Sequence, residues 1–492
     1  MTTEVTSGRS GLGTAAVANL VGGALGAMVN LVLAALVGRH LGTEGSGVYF
    51  LVVAVFLIVA NSAELGADTG LVRFVAATRA LGRPEDTAQI VRTAVVPVLV
   101  GGAVVVALGT PLALAVAPSG LSPVVVVAAV PLTVLASLTA LALGITRGAG
   151  DPLAFPLVQN ILLPAGRMVA VGVAVLAGWG VSEVVAAWLL PVPLVLVVAT
   201  ALAARHVTGR ARIEGRARTA YPGFWRFSAA RGATACVEIV LEWVDVVIVG
   251  VFASPAEAGV YAVVTRCARA GEVVQQAARI AVGPAISAAS ARGDHALVGR
   301  LYGVVTAAMV WAAWPFYAVL AVFAEPVLGI FGDGFDSGAP SLRVLAAAMA
   351  VATAAGAVQS VLLMAGRSSW QLADKTGALA LDVVLLLVLV PHWGIEGAAV
   401  AWAVTIVVDT AVVGYQVQVL MGVRPPWGPI LLAAALPAVL VLAPSMLVAA
   451  TWGTGARVAV TTTAALAVVY LAVGALLRRR LGLVDLVRLR GA

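Results

Sequence analysis

Long apolar runs separated by short polar segments dominate this chain. With about 20 apolar residues per helical crossing of a bilayer, the sequence divides into about fourteen runs, the first near residues 13–38 and the last near 456–477. No polar segment exceeds about 25 residues, too few for a separate soluble domain of roughly 50. The pattern predicts an all-α polytopic membrane protein. Its weakest run, near 229–252, is ATACVEIVLEWVDVVIVGVF, which carries Glu238, Glu242 and Asp245. After a short ASPAEAG turn the next run, VYAVVTRCARAG, carries Arg266 and Arg269.

Sliding the chain along itself by 212 positions places VGRHLGTEGSGVYFLV (37–52) on VGVFASPAEAGVYAVV (249–264) without a gap, with Gly47/Gly259, Val48/Val260 and Tyr49/Tyr261 among the identities. Six predicted spans separate the copies, an even number, so both run in the same direction across the membrane. Two parallel repeats about an axis along the membrane normal are a transporter architecture, with the substrate path at their interface. The expected organisation is a first lobe over 1–210, a second over 211–422, and a C-terminal helix pair with a tail over 423–492. The arginine-rich segment from Arg205 to Arg231 is the expected lobe linker, and the segment TGLVRFVAATRALGR is either an interfacial amphipathic helix or the second span continued into water.

Composition narrows the class. Hydrophobic residues make up 61% of the chain and charged residues only 11%, against roughly 25% in soluble proteins. The net charge of +7 does not point to nucleic acid, because with a cytoplasmic N-terminus about 24 of the 30 basic residues fall on predicted inner segments. That is the positive-inside pattern, and it predicts a multi-pass plasma-membrane protein with both termini cytoplasmic. The first apolar run is expected to be retained, since no small-residue cleavage site follows it. No phosphate loop occurs and Lys375 is the only lysine, which excludes an ATP motor within this polypeptide. Cys236 and Cys267 make no disulfide framework, and the four scattered histidines argue against metal ligation. No cofactor is expected.

A charge near the middle of a bilayer costs at least about 2.5 kcal/mol, so it tends to face a bundle interior or a hydrated cavity. Glu238, Glu242 and Asp245 are spaced i, i+4, i+7 and share one helix face; Arg266 and Arg269 share one on the next helix. Counted from the intervening turn at about 1.5 Å per residue, the two sets reach similar depths. They read either as buried ion pairs fixing two helices, or as arginines that hold an anionic substrate beside a carboxylate that carries a proton or a sodium ion. Guanidinium favours the second use, since its donor fork matches phosphate oxygens. The candidate substrate-binding residues are Arg266, Arg269, Arg167 deep in the fifth span, and Asn30, which aligns with Glu242 in the repeat. The candidate ion-coupling residues are Asp245, Glu242, Glu238, Asp382 and Asp409. Further deep polar groups of the first lobe are Asn61, Gln159 and Asn160, with Glu64 nearer the inner surface. The last two spans, which lack acids, are expected to contact lipid tails.

VGRHLGTEGSGVYF and ELGADTGLVRFVA near the N-terminus, WVDVVIVGVFASPAEAGVYAVVTR in mid-chain, and PVLGIFGDGFDSGAPSLRVLAAA, LLMAGRSS and LVPHWGIEGAAVAWAVT later together resemble the polysaccharide transporter branch of the multidrug, oligosaccharidyl-lipid and polysaccharide (MOP) flippase superfamily. The resemblance covers nearly the whole chain. It implies two six-helix lobes around a central, often cationic cavity, two extra C-terminal helices, and alternating access driven by an ion gradient or the membrane potential. It further implies a polyprenyl-diphosphate-linked oligosaccharide as cargo, moved to the outer leaflet, and polysaccharide polymerases and glycosyltransferases as functional partners. Asp245 falls where such sequences commonly carry an acid. An antiporter of cationic drugs or metabolites from the same superfamily is the first alternative. A membrane glycosyltransferase or polymerase is a poorer one, because the longest outer loop, around EPVLGIFGDGFDSG, is only about 15 residues.

Overall fold

A computed structural model describes residues 3–207, 221, 223–356, 358–364 and 368–477. Among them every regular element is helical. Most of the predicted lobe linker, Arg367 of LLMAGRSS and the arginine-rich tail lie outside the described residues. The chain forms two compact units, one of Met1–Leu41 and Val48–Val247 and a second of Gly42–Gly47 and Ile248–Ala492.

Unit 1 contains most of α1 (Thr3–Ala63), then α2 (Ala67–Ala80), α3 (Thr87–Val116), α4 (Pro123–Gly148), α5 (Leu163–Leu176), α6 (Val181–Leu189), α7 (Pro191–Ala204) and most of α8 (Phe224–Phe252). The ambiguous amphipathic segment is a helix of its own. Two successive left-handed residues, Leu65 (φ 51°) and Gly66 (φ 72°), end α1 and start α2 in a new direction. The apolar stripe of α2, including Leu71 and Val75, is then buried against α4. Glycines on α4 allow the approach: a Cβ on Gly144 would lie 2.6 Å from the Asp68 carbonyl oxygen, and one on Gly148 2.9 Å from that of Leu71. Phe74, Phe224, Phe227 and Tyr221 form an aromatic cluster at the α2–α8 contact, and the Arg73 guanidinium sits 4.3 Å over the Phe227 ring.

Unit 2 comprises α9 (Pro255–Arg269), α10 (Glu272–Ala291), α11 (His295–Val322), α12 (Ala324–Leu328), α13 (Ala339–Ala354), α14 (Val358–Met364), α15 (Ser368–Tyr415), α16 (Trp427–Pro437), α17 (Ala443–Trp452) and α18 (Ala456–Leu477). Helix α9 begins at a Ser254 cap, whose hydroxyl accepts from the Glu257 N–H at 3.1 Å, as N-cap serines do. Glycine bends divide the two longest helices, at Gly42 (φ 68°) in α1 and Gly394 (φ 53°) in α15. Only glycine adopts such angles without strain. Helix α18 docks on α11, where Tyr470 stacks on Trp311 at 5.6 Å and donates to its carbonyl at 2.7 Å. Its other face leaves Leu471 and Leu476 exposed, suited to lipid contact.

Among the described residues ten segments are long and apolar enough to cross a membrane. Two of them, Gly22–Ala80 and Ser369–Leu420, hold 59 and 52 residues with a glycine bend in each, enough for two crossings at about 20 residues apiece. With α8 and the α9–α10 segment beside them, fourteen crossings are compatible with the helices. The polytopic all-α class therefore stands.

Candidate functional site

A cavity of about 300 Å³ opens inside unit 1. The end of α1 supplies Asn61, the turn after it Glu64, α2 Asp68, α4 Thr139 and Arg147, and α5 Arg167. Gln159 comes from the π-helical stretch Pro156–Leu162. That stretch has a local cause: Pro164 lacks the N–H that an α-helix would direct to the Asn160 carbonyl, and such a defect is often absorbed as a π-bulge. Phe56 and Phe155 add aromatic wall.

The two arginines of this cavity differ in their partners. Arg147 pairs with Asp68 at 3.3 Å and lies 4.7 Å over the Phe155 ring; the Asp68 carboxylate also accepts from Thr69 Oγ1 at 3.2 Å. Arg167 stacks 3.8 Å over Trp188 and makes no ion pair among the described residues. Its Nε is buried without a hydrogen bond. A desolvated guanidinium whose charge is balanced only by an aromatic face retains its donors for an anion, and the fork geometry suits phosphate or carboxylate oxygens. Asn61, whose amide donates to the Leu57 carbonyl at 2.9 Å, and Gln159 line the same cavity.

The acidic face of α8 is a continuous helix face, but its three carboxylates meet different surroundings. Glu238 faces Arg231 at 3.8 Å on the same helix, Glu242 is exposed, and Asp245 is fully buried, accepting from the Val246 N–H at 2.8 Å. On α9 the Arg266 guanidinium donates to the Ala262 carbonyl at 2.8 Å, and Arg269 lies 5.7 Å over the Trp402 ring. The acids belong to unit 1 and these arginines to unit 2. Asn30 is exposed on α1.

Asp382 and Asp409 are buried on the two arms of α15. Asp409 binds the sole lysine, Lys375, at 2.8 Å. Lys375, Arg147 and Asp68 are not among the site residues expected from the sequence, since the positive-inside pattern places the two basic ones on inner segments. The available signal for Lys375 was its rarity, one lysine among thirty basic residues.

Residues 13–290 match the family model described as polysaccharide biosynthesis protein. The chain belongs to that family. Over 192 residues it is 26% identical to the probable low-salt glycan biosynthesis flippase Agl15 of Haloferax volcanii, a match covering 37% of this chain and 39% of that relative. The chain thus aligns with about two fifths of the length of this curated relative. The fold is similar to that of the lipid II flippase MurJ in an inward closed conformation, with a TM-score of 0.70 at 10% identity over 92% of this chain and 97% of that one. It is also similar to a multidrug resistance MATE family transporter of the MOP superfamily in an inward-facing conformation, with a TM-score of 0.67 at 15% identity over 81% and 94%. At such identities the likeness establishes the fold alone.

Proposed function

We propose that this protein is a flippase that moves a polyprenyl-diphosphate-linked oligosaccharide from the cytoplasmic to the outer leaflet of the plasma membrane, for cell-surface polysaccharide biosynthesis. It is a transporter, not an enzyme, working by alternating access coupled to a proton or sodium gradient, with both termini cytoplasmic. The observation that carries this reading is Arg167, a half-buried guanidinium with no ion pair among the described residues, at a cavity that also holds Asn61 and Gln159. In the proposed cycle Arg167 takes the diphosphate first. Arg147 joins it when the anion displaces Asp68 from the guanidinium. Arg266, Arg269 and Asn30 are proposed further contacts for the cargo, and Asp245, Glu242, Glu238, Asp382 and Asp409 remain candidates for coupling. Polymerases and glycosyltransferases are the proposed functional partners. Family membership and the relative named a glycan biosynthesis flippase support the cargo class.

A second reading rests on Glu64 and Asp68 in the same cavity, acids that suit a cationic drug or metabolite in an antiporter. Reconstitution in proteoliposomes separates the two. Labelled lipid-linked oligosaccharide should cross with the wild type and lose most of its rate in Arg167→Ala, with Arg167→Lys intermediate. Organic-cation efflux without movement of the labelled lipid would replace the first reading with the second.

A further inference from the structure

We propose that a cavity at one end of unit 2 binds an anionic phospholipid, with the phosphate at its rim and the start of an acyl chain inside. The cavity has a volume of about 400 Å³, within the range of small-ligand sites. It lies where α10 turns into α11, beside α14 and the π-helical segment Gln416–Leu420. Two candidate membrane spans end at its wall, one starting at His295 and one stopping at Leu420, and a third starts just past the lining Val423, at Trp427. A cavity at the ends of spans meets the headgroup layer. Trp427, 52% exposed, is the residue type that anchors at that depth.

Local structure fixes the walls. Gly293 (φ 69°) reverses the chain after α10, with the Asp294 N–H donating back to the Ala289 carbonyl at 3.1 Å, so Ser290 and His295 both line the cavity. Gly422 (φ 70°) makes the second reversal, and the Val423 N–H donates back to the Val417 carbonyl at 3.1 Å. The loop that follows lies against two glycines of α11. A Cβ on Gly299 would sit 2.6 Å from the Arg424 carbonyl oxygen, and one on Gly303 would overlap the Pro426 ring. Val298, Val361 and Val423 are buried and form an apolar floor, whereas Leu420 lines the cavity and is 56% exposed.

The sequence around the cavity carries the charge that an anionic lipid requires. Arg292, Arg300 and Arg424 are exposed and stand within two residues of the lining residues Ser290, Val298 and Val423. None of the three makes an ion pair among the described residues. Asp294 is the acid of the same turn, and its carboxylate caps α11, accepting from the Leu297 N–H at 2.9 Å. Three guanidiniums against one carboxylate leave a positive rim, to which Ser290 and His295 add hydrogen-bonding groups. A cation meets the wrong sign there, and a zwitterionic lipid gains no net attraction. Free phosphate would leave the apolar floor uncovered; a phospholipid matches both parts. Basic pockets between spans on the cytoplasmic side hold anionic headgroups in this way, and the positive-inside pattern predicts that this end of unit 2 faces the cytoplasm.

The inference uses no residue of the proposed function, and its test needs no transport. Thermal melting of the purified full-length protein in detergent is followed during titration with dioctanoyl phosphatidylglycerol, dioctanoyl phosphatidylcholine or glycerol 3-phosphate. A saturable rise in melting temperature is expected with the first alone. Arg300→Gln and Arg424→Gln should each raise the half-saturating concentration about fivefold, the share of one basic side chain beside an anionic lipid. Arg457→Gln, an exposed charge at the start of α18, should leave it unchanged. Leu420→Trp, which crowds the cavity from an exposed position, should weaken the response while the melting temperature without lipid stays the same. A wild type without a saturable response overturns the proposal, as does an equal response to phosphatidylcholine. An equal response to glycerol 3-phosphate would make this a site for free phosphate and overturns the lipid assignment. A half-saturation that moves as far in Arg457→Gln as in Arg424→Gln would assign the effect to overall charge and overturns the site.

Discussion

Gly47 and Gly259, equivalent positions of the internal repeat, pack backbone to backbone within unit 2. A Cβ on Gly47 would overlap the Pro255 carbonyl oxygen, and one on Gly259 would overlap that of Thr43. Thr43 and Pro255 are themselves 212 positions apart, so the two contacts exchange under the repeat, as contacts about a local two-fold axis do. The G-V-Y identity in the sequence thus has a steric cause. It predicts that Gly47→Ala and Gly259→Ala are equally damaging, each by about 1–3 kcal/mol or more for overpacking against backbone that cannot swing away. Melting temperature and yield of folded protein check this. A near-neutral Gly47→Ala beside a damaging Gly259→Ala would break the symmetry argument.

Gly144 and Gly101 make a contrasting pair. A Cβ at Gly144 would meet the Asp68 carbonyl at 2.6 Å, whereas one at Gly101 on α3 meets nothing within 4 Å. Gly144→Ala should push α2 away from α4 and lower the melting temperature. Gly101→Ala should leave it unchanged or raise it, since alanine in a helix interior is favoured over glycine by up to about 1 kcal/mol. Equal shifts in the same direction would show that helix propensity, not the α2–α4 approach, governs both sites.

The Asp68–Arg147 pair should show strong coupling in a double-mutant cycle. Its side chains are 21% and 35% exposed, so truncating one partner strands the other in a partly dry wall. Asp68→Ala and Arg147→Ala are each expected to cost more than the double variant divided between them, with an interaction energy of about 0.5–3 kcal/mol. Additive melting shifts would mean that the carboxylate does not hold the guanidinium, and the displacement step proposed for the anion would lose its basis.

The membrane class was legible because apolar runs report directly on burial in lipid, and the repeat was legible because Gly47 and Gly259 cannot be replaced without a clash. The pairing of Asp68 with Arg147, 79 residues apart, was not. An arginine at the end of a span carries the same local pattern whether it reaches out to water or turns inward to a carboxylate. The pairing of Lys375 with Asp409 was hidden for the same reason. The face formed by Glu238, Glu242 and Asp245 was correctly read as continuous helix, but periodicity gives no information on burial, and only Asp245 of the three is buried. The break between α9 and α10 at Ala270–Gly271 lies inside the apolar run near 257–279, which hydropathy reads as one span.

Glu325 gives a prediction for acid conditions. It lies between the candidate spans, accepting from Thr454 Oγ1 at 2.9 Å and from Arg343 Nη2 at 2.8 Å. The Thr454 hydroxyl and the Arg343 guanidinium hold its carboxyl below the ordinary value of 4.5. A carboxyl depressed in the folded state stabilises above its unfolded pKa, and that contribution is lost as pH falls through the lower, folded value. The clasp between α12 and the turn joining α17 to α18 should therefore persist at pH 4.5 and release only in stronger acid. Hydrogen exchange at residues 453–455 reads the release. Thr454→Val removes the hydroxyl donor that lowers it most, so the carboxyl should move back up toward 4.5 and the release should shift to higher pH. A release at the same pH in both proteins would assign the lowered value to Arg343 alone.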